Sequence, residues 1–286
     1  MSWSETSRGF RNYLLTTGRS EGTAKTYLSN LSLFWSWCTH HELLPHDADQ
    51  VTVRGWLADR KQEVSAARAH NDLAALRLFY AWVRETRWRD DDPTANISIK
   101  RPKALPTEPL STSELNSLLS VCKDERDRLL VLMLAHTGMR ISELASLTAE
   151  DIDWRRGIIR IMGKGEKERR LQPHPDVLQR LHAFVGMFAA GPVWLSKKQH
   201  SQLSAHQIRK ILYELAERAQ LEHIHPHRFR SLFATEYIEQ FADIQGLQGV
   251  MGHESIETTA RYSEYTRERR GLRQMQQLTF TADTLL

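Results

Sequence analysis

The stretch from Arg89 to Leu110 constrains the architecture of this chain more than any other. It carries Asp90-Asp91-Asp92-Pro93, then Pro102, Pro106 and Pro109, with Lys100, Arg101 and Lys103 between them, and it has neither helical nor strand periodicity. Proline fixes φ and removes a backbone donor, so a charged, proline-rich stretch of this kind reads as a linker between folded bodies. The chain is patterned for compact structure on both sides of it. A length of 286 residues supplies two domains at about 100–200 residues each. Residues 1–101 are expected to form a helical domain, 102–110 the linker, and 111–286 a second domain.

Serine at position 20 suits the cap of a helix that carries Tyr27, Leu31, Phe34, Trp35 and Cys38 on one face. The spacing recurs with Leu73, Leu76, Phe79, Tyr80 and Val83, and two further amphipathic stretches lie near Phe10–Leu15 and Val51–Val64. Four helices with such stripes make a small bundle, and the stripes are its core. The second domain opens with Ser111-Thr112-Ser113-Glu114, where the glutamate three residues after the serine is the spacing of a capping box. A helix from about Asp124 stops at Gly138. Trp154 to Arg160 and Glu168 to Leu171 read as short strands, with turns at Asp153–Gly157 and Gly163–Gly165. Helices follow at roughly Pro175–Ala189, Ala205–Ala219, His227–Gln240 and Asp243–Met251. The expected fold is mainly α, with a small antiparallel β-sheet in the second domain.

A formal net charge of +4 and a pI near 9.1 are compatible with an anionic partner without requiring one. Cys38 and Cys122 form no C-x-x-C pair and read as reduced thiols of a cytosolic protein. The start, Met1-Ser2-Trp3-Ser4-Glu5, has neither the basic nor the apolar part of a signal peptide. The longest apolar run, Leu129 to Ala135, is far too short to span a bilayer. A soluble, cytoplasmic protein with no membrane partner is expected.

Five short segments stand out: Thr137-Gly138-Met139-Arg140-Ile141-Ser142-Glu143-Leu144, Gly163-Lys164-Gly165-Glu166-Lys167-Glu168-Arg169, His227-Arg228-Phe229-Arg230, Met251-Gly252-His253 and Thr258-Thr259-Ala260-Arg261-Tyr262. Each alone is weak, because arginines and histidines also serve as caps and solvated surface. In this order, from Ser111 to Tyr262, they resemble the tyrosine recombinase, or phage integrase, family. In that family an arginine follows a Thr-Gly-x turn and precedes Glu-Leu, as Arg140 does. A lysine sits in a Gly-Lys-Gly hairpin, as Lys164 does, and a His-x-x-Arg motif opens a helix, as His227 and Arg230 do. A Gly-His ends the next helix, as at His253, and the nucleophilic tyrosine follows about nine residues later, at Tyr262. Many members carry a second histidine directly after the motif arginine, where this chain has Ser231. The family's first domain is a small helical DNA clamp, in agreement with the helical stripes of the first hundred residues.

The resemblance implies a metal-free, ATP-free enzyme that cuts and rejoins DNA through a 3′-phosphotyrosyl bond. A phosphodiester under attack gathers charge on its non-bridging oxygens. Arginine, always charged and with a rigid fork of donors, suits a clamp there, so Arg140 and Arg230 take that role, with His253 adding a donor. Tyrosine is mostly protonated near neutrality and needs an acceptor, His227, while the leaving 5′-hydroxyl needs an acid, Lys164. Glu143, one helical turn from Arg140, supports the basic cluster. No cofactor is implied. His223, His225 and His227 alternate, but no cysteine or carboxylate completes a metal set, and Gly163-Lys164-Gly165 lacks the P-loop spacing.

The implied partner is double-stranded DNA with inverted-repeat core sites, bound by a homotetramer, in a bacterial, archaeal or phage setting. Lys25, Arg68 and Asn71, and His206, Arg209 and Lys210 on the polar face of the Ala205–Ala219 helix, are candidate DNA contacts; a merely solvated face explains them equally well. Only about 100 residues precede the linker, which leaves no room for an additional arm-binding domain and points to a simple integrase or a Xer-like recombinase. The apolar tail residues Leu278, Phe280, Leu285 and Leu286 suit either a neighbouring subunit, as the family implies, or the chain's own domain. A type IB topoisomerase and a non-catalytic DNA-binding protein are the alternatives.

Overall fold

The computed structural model describes residues 2–100, 107–163, 168–186, 190–198, 200–222, 224–252 and 256–276, apart from the side chains of residues 256–258, 261, 268, 273 and 276. Lys164, His223, His253, most of the linker's basic and proline residues, residues 187–189 and the tail beyond residue 276 therefore lie outside the description. The chain divides into two compact units, Met1–Ala104 and Leu105–Leu286.

The first unit holds α1 (Trp3–Thr16), α2 (Glu21–His40), α3 (Gln50–Glu63) and α4 (Ala66–Glu85). The side chains of Ser2, Ser20, Asp49 and Ser65 accept from the free amides of the four first turns, which is why each helix starts where it does. The expected stripes converge: Leu31, Phe34 and Cys38 of α2 meet Leu73, Leu76, Phe79, Tyr80 and Val83 of α4, together with Phe10 and Trp56. The buried Tyr80 hydroxyl donates to the Pro45 carbonyl at 2.6 Å. Burial pushes the Cys38 thiol up to about 12, so it is an inert core residue. Past α4 the chain stays on this unit. Ile97 and Ile99 are buried in its core, and Arg54, Arg77 and His70 bond the carbonyls of Asn96, Ile97 and Ile99.

The second unit is built on α6 (Glu125–Thr137), whose Leu129, Leu130, Val131, Met133 and Leu134 are all buried. A helix buried on most sides lies inside its domain. Against it pack α5 (Thr112–Ser120), α7 (Ile141–Ser146), α8 (Pro175–Val185), α9 (Ala205–Arg218) and α10 (Pro226–Phe241), and on α10 pack α11 (Ile244–Met251) and α12 (Ile256–Gln276). The antiparallel sheet β1 (Ile152–Asp153), β2 (Ile158–Met162) and β3 (Glu168–Leu171) runs in that spatial order.

Two expectations shift. The first long strand is Ile158–Met162 and not Trp154–Arg160, because Trp154–Gly157 is the turn: the Asp153 carboxylate accepts from the Arg156 amide and Gly157 has φ +68°. The helix from Pro175 ends at Val185, where Gly186 takes φ +87°, not at Ala189. The register pairs Ile159 with Leu171 and Ile161 with Arg169. Alternation along β3 thus puts Arg169 on the same buried face as Leu171.

Candidate active site

The site forms around the C-terminal end of α11. A helix leaves its last carbonyls without intrahelical partners and carries partial negative charge there. Here three arginines from three other elements take those carbonyls. Arg169 of β3 donates to Val250 at 2.9 Å, Arg230 of α10 to Met251 at 2.6 Å, and Arg140, at the start of α7, to Gly252 at 3.3 Å. Gly252 itself has φ +62°, and a Cβ there would stand 3.0 Å from Cδ of Arg169. This position favours glycine on both counts.

Arg230 joins a second helix end. Its other terminal nitrogen donates to the Gly138 carbonyl just past α6. Gly138 has φ +59°, and a Cβ there would lie 2.6 Å from the Phe233 ring of α10. Replacing Gly138 by alanine would therefore push α10, and Arg230 with it, off the end of α6. Burial first, then the charge of Arg140, pushes the Arg230 guanidinium down to about 10, still high enough to keep it a cation at neutral pH.

One carboxylate organises this cluster. Glu143, in the first turn of α7, accepts from the Arg140 backbone amide at 2.7 Å and from its guanidinium at 2.9 Å. It also accepts both terminal nitrogens of Arg169, at 3.0 and 2.6 Å. Burial opposes the charge of Glu143, but the bonds from Arg169 and Arg140 overcome it and hold the carboxyl below its ordinary range. The sign for stability follows. A depressed carboxyl contributes stability that is complete above its unfolded pKa and is lost as pH falls through the folded one. Glu143→Gln should cost about 3–5 kcal/mol near neutrality, since Arg169 is left buried without its counter-charge. The gap from wild type should narrow as urea midpoints are followed downward in pH and the wild-type carboxyl is itself protonated, below the ordinary carboxylate range. A gap that stays constant with pH would refute the ionic role.

Arg140, Glu143 and Arg230, named from the sequence, are thus brought together. His227 stands at the exposed start of α10. Partial desolvation, then the charges of Arg230, His225, Arg140 and Arg209, push its imidazole below the ordinary histidine value, so it is neutral near pH 7 and able to accept a proton. Tyr262 lies on α12, half-buried against a cluster of Ala234, Ile238, Leu247 and Met251, and close enough to Arg230 to act on its charge. Its carbonyl accepts from the Thr266 hydroxyl at 2.7 Å, one helical turn on. Lys164 and His253 lie outside the described residues, each a few positions from a described part of the site. Ser231 is buried, and its hydroxyl has no hydrogen-bond partner among the described residues, so it supplies no supporting bond to them.

Sequence reasoning overlooked Arg169. The signal was present: in Glu168-Arg169-Arg170-Leu171 an arginine shares strand parity with the leucine, and a charge on a buried face must find a partner. Among the candidate DNA contacts, Arg209 of α9 lies close enough to His227 for its charge to act there. Lys25, Asn71 and His206 are exposed; Arg68 is exposed and lies 3.5 Å from the buried Asp72 carboxylate; Arg209 is half-buried; and Lys210 stands 3.8 Å from Glu214. None of the six takes part in the bonds among the described residues that build the arginine cluster. Among the described residues no group of three or more His, Cys, Asp or Glu side chains is arranged to hold a metal ion, and no helix is long and apolar enough to cross a membrane.

Comparison with known proteins places this geometry. The phage integrase family model matches residues 108–269, and the phage integrase N-terminal SAM-like domain matches residues 8–86. Tyrosine recombinase XerC of Syntrophus aciditrophicus is 30% identical over 282 residues, covering 89% of this chain and 91% of that protein. Tyrosine recombinase XerD of Shewanella oneidensis is 32% identical over 271 residues, covering 88% and 89%. Among solved structures, a lambda integrase fragment, a dimer bound to a COC′ core site, superposes with a TM-score of 0.71 at 17% identity, over 90% of this chain and 96% of that one. XerH site-specific recombinase, bound to palindromic difH substrate in a post-cleavage complex, gives 0.70 at 22% identity, over 86% and 77%. The structural matches carry the fold; the family model spans more than half the chain and contains every residue of the arginine cluster, so the chain belongs to the phage integrase family of tyrosine recombinases.

Proposed function

We propose that this chain cleaves and rejoins DNA at a specific site, with Tyr262 as nucleophile and Arg140 and Arg230 as the clamp on the scissile phosphate. Site-specific DNA recombination is the activity of the family to which it belongs. The observation that carries the assignment of residues is the charge imbalance among the described residues: three arginines gather at the end of α11, two of them on the Glu143 carboxylate, beside a tyrosine, and 40% of the Arg140 side chain faces solvent. A site with surplus, preorganised cation calls for an anion, and a phosphodiester approaching a transition state is the anion that gains most.

The Tyr262 oxygen attacks phosphorus and its proton passes to His227, which its lowered basicity keeps neutral beforehand. The bond from phosphorus to the 5′-oxygen breaks, leaving a 3′-phosphotyrosine, and Lys164 protonates the departing oxygen. The new ester keeps the energy of the old one, so a 5′-hydroxyl from a second strand can reverse the step without ATP. Arg140 and Arg230, with His253, hold the non-bridging oxygens throughout. A two-domain clamp on inverted-repeat core sites, assembled as a tetramer, would carry out the exchange in the cytoplasm of a bacterial or archaeal cell, on its chromosome or on a resident mobile element.

The test is covalent trapping on a library of nicked duplexes in excess EDTA, followed by denaturation in detergent and sequencing of the attached DNA. A Tyr262-dependent adduct at one inverted-repeat site is expected. Relaxation of supercoils without exchange between two marked sites would favour a topoisomerase; DNA binding with no adduct would favour a non-catalytic protein.

A further inference from the structure

Between the two motif residues His227 and Arg230 stands Arg228, a third cation that does not join the cluster. It is 8% exposed, and four of its donor bonds go the other way. Its terminal nitrogens donate to both oxygens of Glu114 at 2.9 Å, one of them also to the Pro109 carbonyl at 3.2 Å, and its Nε donates to the Glu108 carbonyl at 3.2 Å. Guanidinium donors committed in this way leave little for a phosphate. The backbone repeats the contact, since the Leu110 amide donates to the Arg228 carbonyl at 3.3 Å. Leu110 and the next α10 residue, Phe229, are both buried in the core of the second unit.

Glu114 is tied in turn. It closes the capping box of α5, accepting from the Ser111 amide at 2.7 Å and the Ser111 hydroxyl at 3.0 Å. Residues 108–114 therefore form one hydrogen-bonded body with the first turn of α10. That turn carries His227 on one side of Arg228 and, two residues beyond it, Arg230. At the other end of the linker, residues 96–99 are bonded to the first unit by Arg54, Arg77 and His70. Both ends of the interdomain segment are thus fastened, and the second fastening lies on the turn that bears the base and one arm of the clamp.

We propose that Arg228 is a positioning residue: through Glu114 and the carbonyls of Glu108 and Pro109 it couples the end of the interdomain segment to the placement of His227 and Arg230. The coupling rests on the recombinase reading for its effect on catalysis, not for its existence. A movement of residues 108–111 moves the first turn of α10, and misplacement by about 1 Å costs about 10²-fold in rate.

The experiment compares wild type, Arg228→Ala, Arg228→Lys and the charge exchange Arg228→Glu with Glu114→Arg. Single-turnover cleavage of a nicked duplex is read at saturating DNA across pH, beside DNA affinity, urea unfolding and hydrogen exchange of the free protein. Arg228→Ala should lose about 10²-fold in cleavage, with affinity changed only severalfold, and the acid limb of the pH profile should move. Lysine, which keeps the charge but not the fork, should recover stability more than rate, and the exchanged pair should recover part of both. Amides of residues 107–115 and 225–231 should exchange faster together in Arg228→Ala. The proposal is overturned if Arg228→Ala cleaves at the wild-type rate with the wild-type pH profile, if its loss disappears once the folded fraction is taken into account, or if the two segments exchange independently. A wild type that forms no Tyr262 adduct would sink the recombinase assignment instead, and the exchange data would still decide the coupling.

Discussion

Tyr262→Phe should abolish covalent attachment to DNA while leaving DNA binding nearly intact. The ring of residue 262 packs on Ala234, Ile238, Leu247 and Met251, and phenylalanine keeps that packing. What it lacks is the oxygen that would bond to phosphorus. Loss of a nucleophile removes at least about 10⁴-fold of rate, and no other group can form the same adduct. Affinity should stay within about threefold, because binding rests on many phosphate contacts made without the hydroxyl. Suicide-substrate trapping and a gel-shift titration on the same preparation check both halves. An adduct that survives the substitution would show that another residue is the nucleophile, and equal loss of binding and cleavage would show that the ring serves DNA affinity.

The second large effect belongs to Arg230, a structural tie and the proposed clamp. Arg230→Ala should lower the cleavage rate about 10²–10³-fold, the usual cost of one preorganised donor to a phosphoryl oxygen. It should also destabilise the protein by about 2–6 kcal/mol, since the Gly138 and Met251 carbonyls lose their shared partner at about 1–3 kcal/mol each. Arg230→Lys separates the roles. An ammonium is a point donor without the planar fork, so it should restore part of the stability and little of the rate. Urea unfolding and single-turnover cleavage, measured on all three proteins, make the comparison. A lysine variant that cleaves at the wild-type rate would mean that charge alone suffices, and the fork argument would fall.

Much of this architecture was legible in the residues because the relevant physics is local. Ser20 and Ser111, read as caps from their spacing, do cap helices through side chains that reach three residues ahead, and the structure adds Ser2, Asp49 and Ser65 in the same role. The Leu73-Leu76-Phe79-Tyr80-Val83 stripe declares its buried face by spacing alone. Local signals overlapped at Trp154–Gly157, which read both as the start of a strand and as part of the Asp153–Gly157 turn, and the turn is what forms. Trp154 and its neighbours have strand propensity, but the Asp153 bond to the Arg156 amide and the positive φ of Gly157 make them a turn. Tyr262 sits within a helix of 21 residues, α12, whose charged sequence has only a weak apolar stripe to announce it.

The sequence by itself determined which residue types were present, in what order, and which faces of most helices had to be buried. Arg140, His227, Arg230 and Tyr262 were visible at that level as an ordered set. Only the tertiary structure decided how the arginines are used. Arg169 meets Glu143 across 26 positions of chain, and Arg228 meets Glu114 across 114. Arg228 and Arg230 stand two positions apart, yet one turns to the linker and the other to the end of α11. The reason is physical. Periodicity records how far a side chain is removed from water, whereas the partner of a buried charge is fixed by which carboxylate or helix-end carbonyl the packing of distant elements brings within about 3 Å.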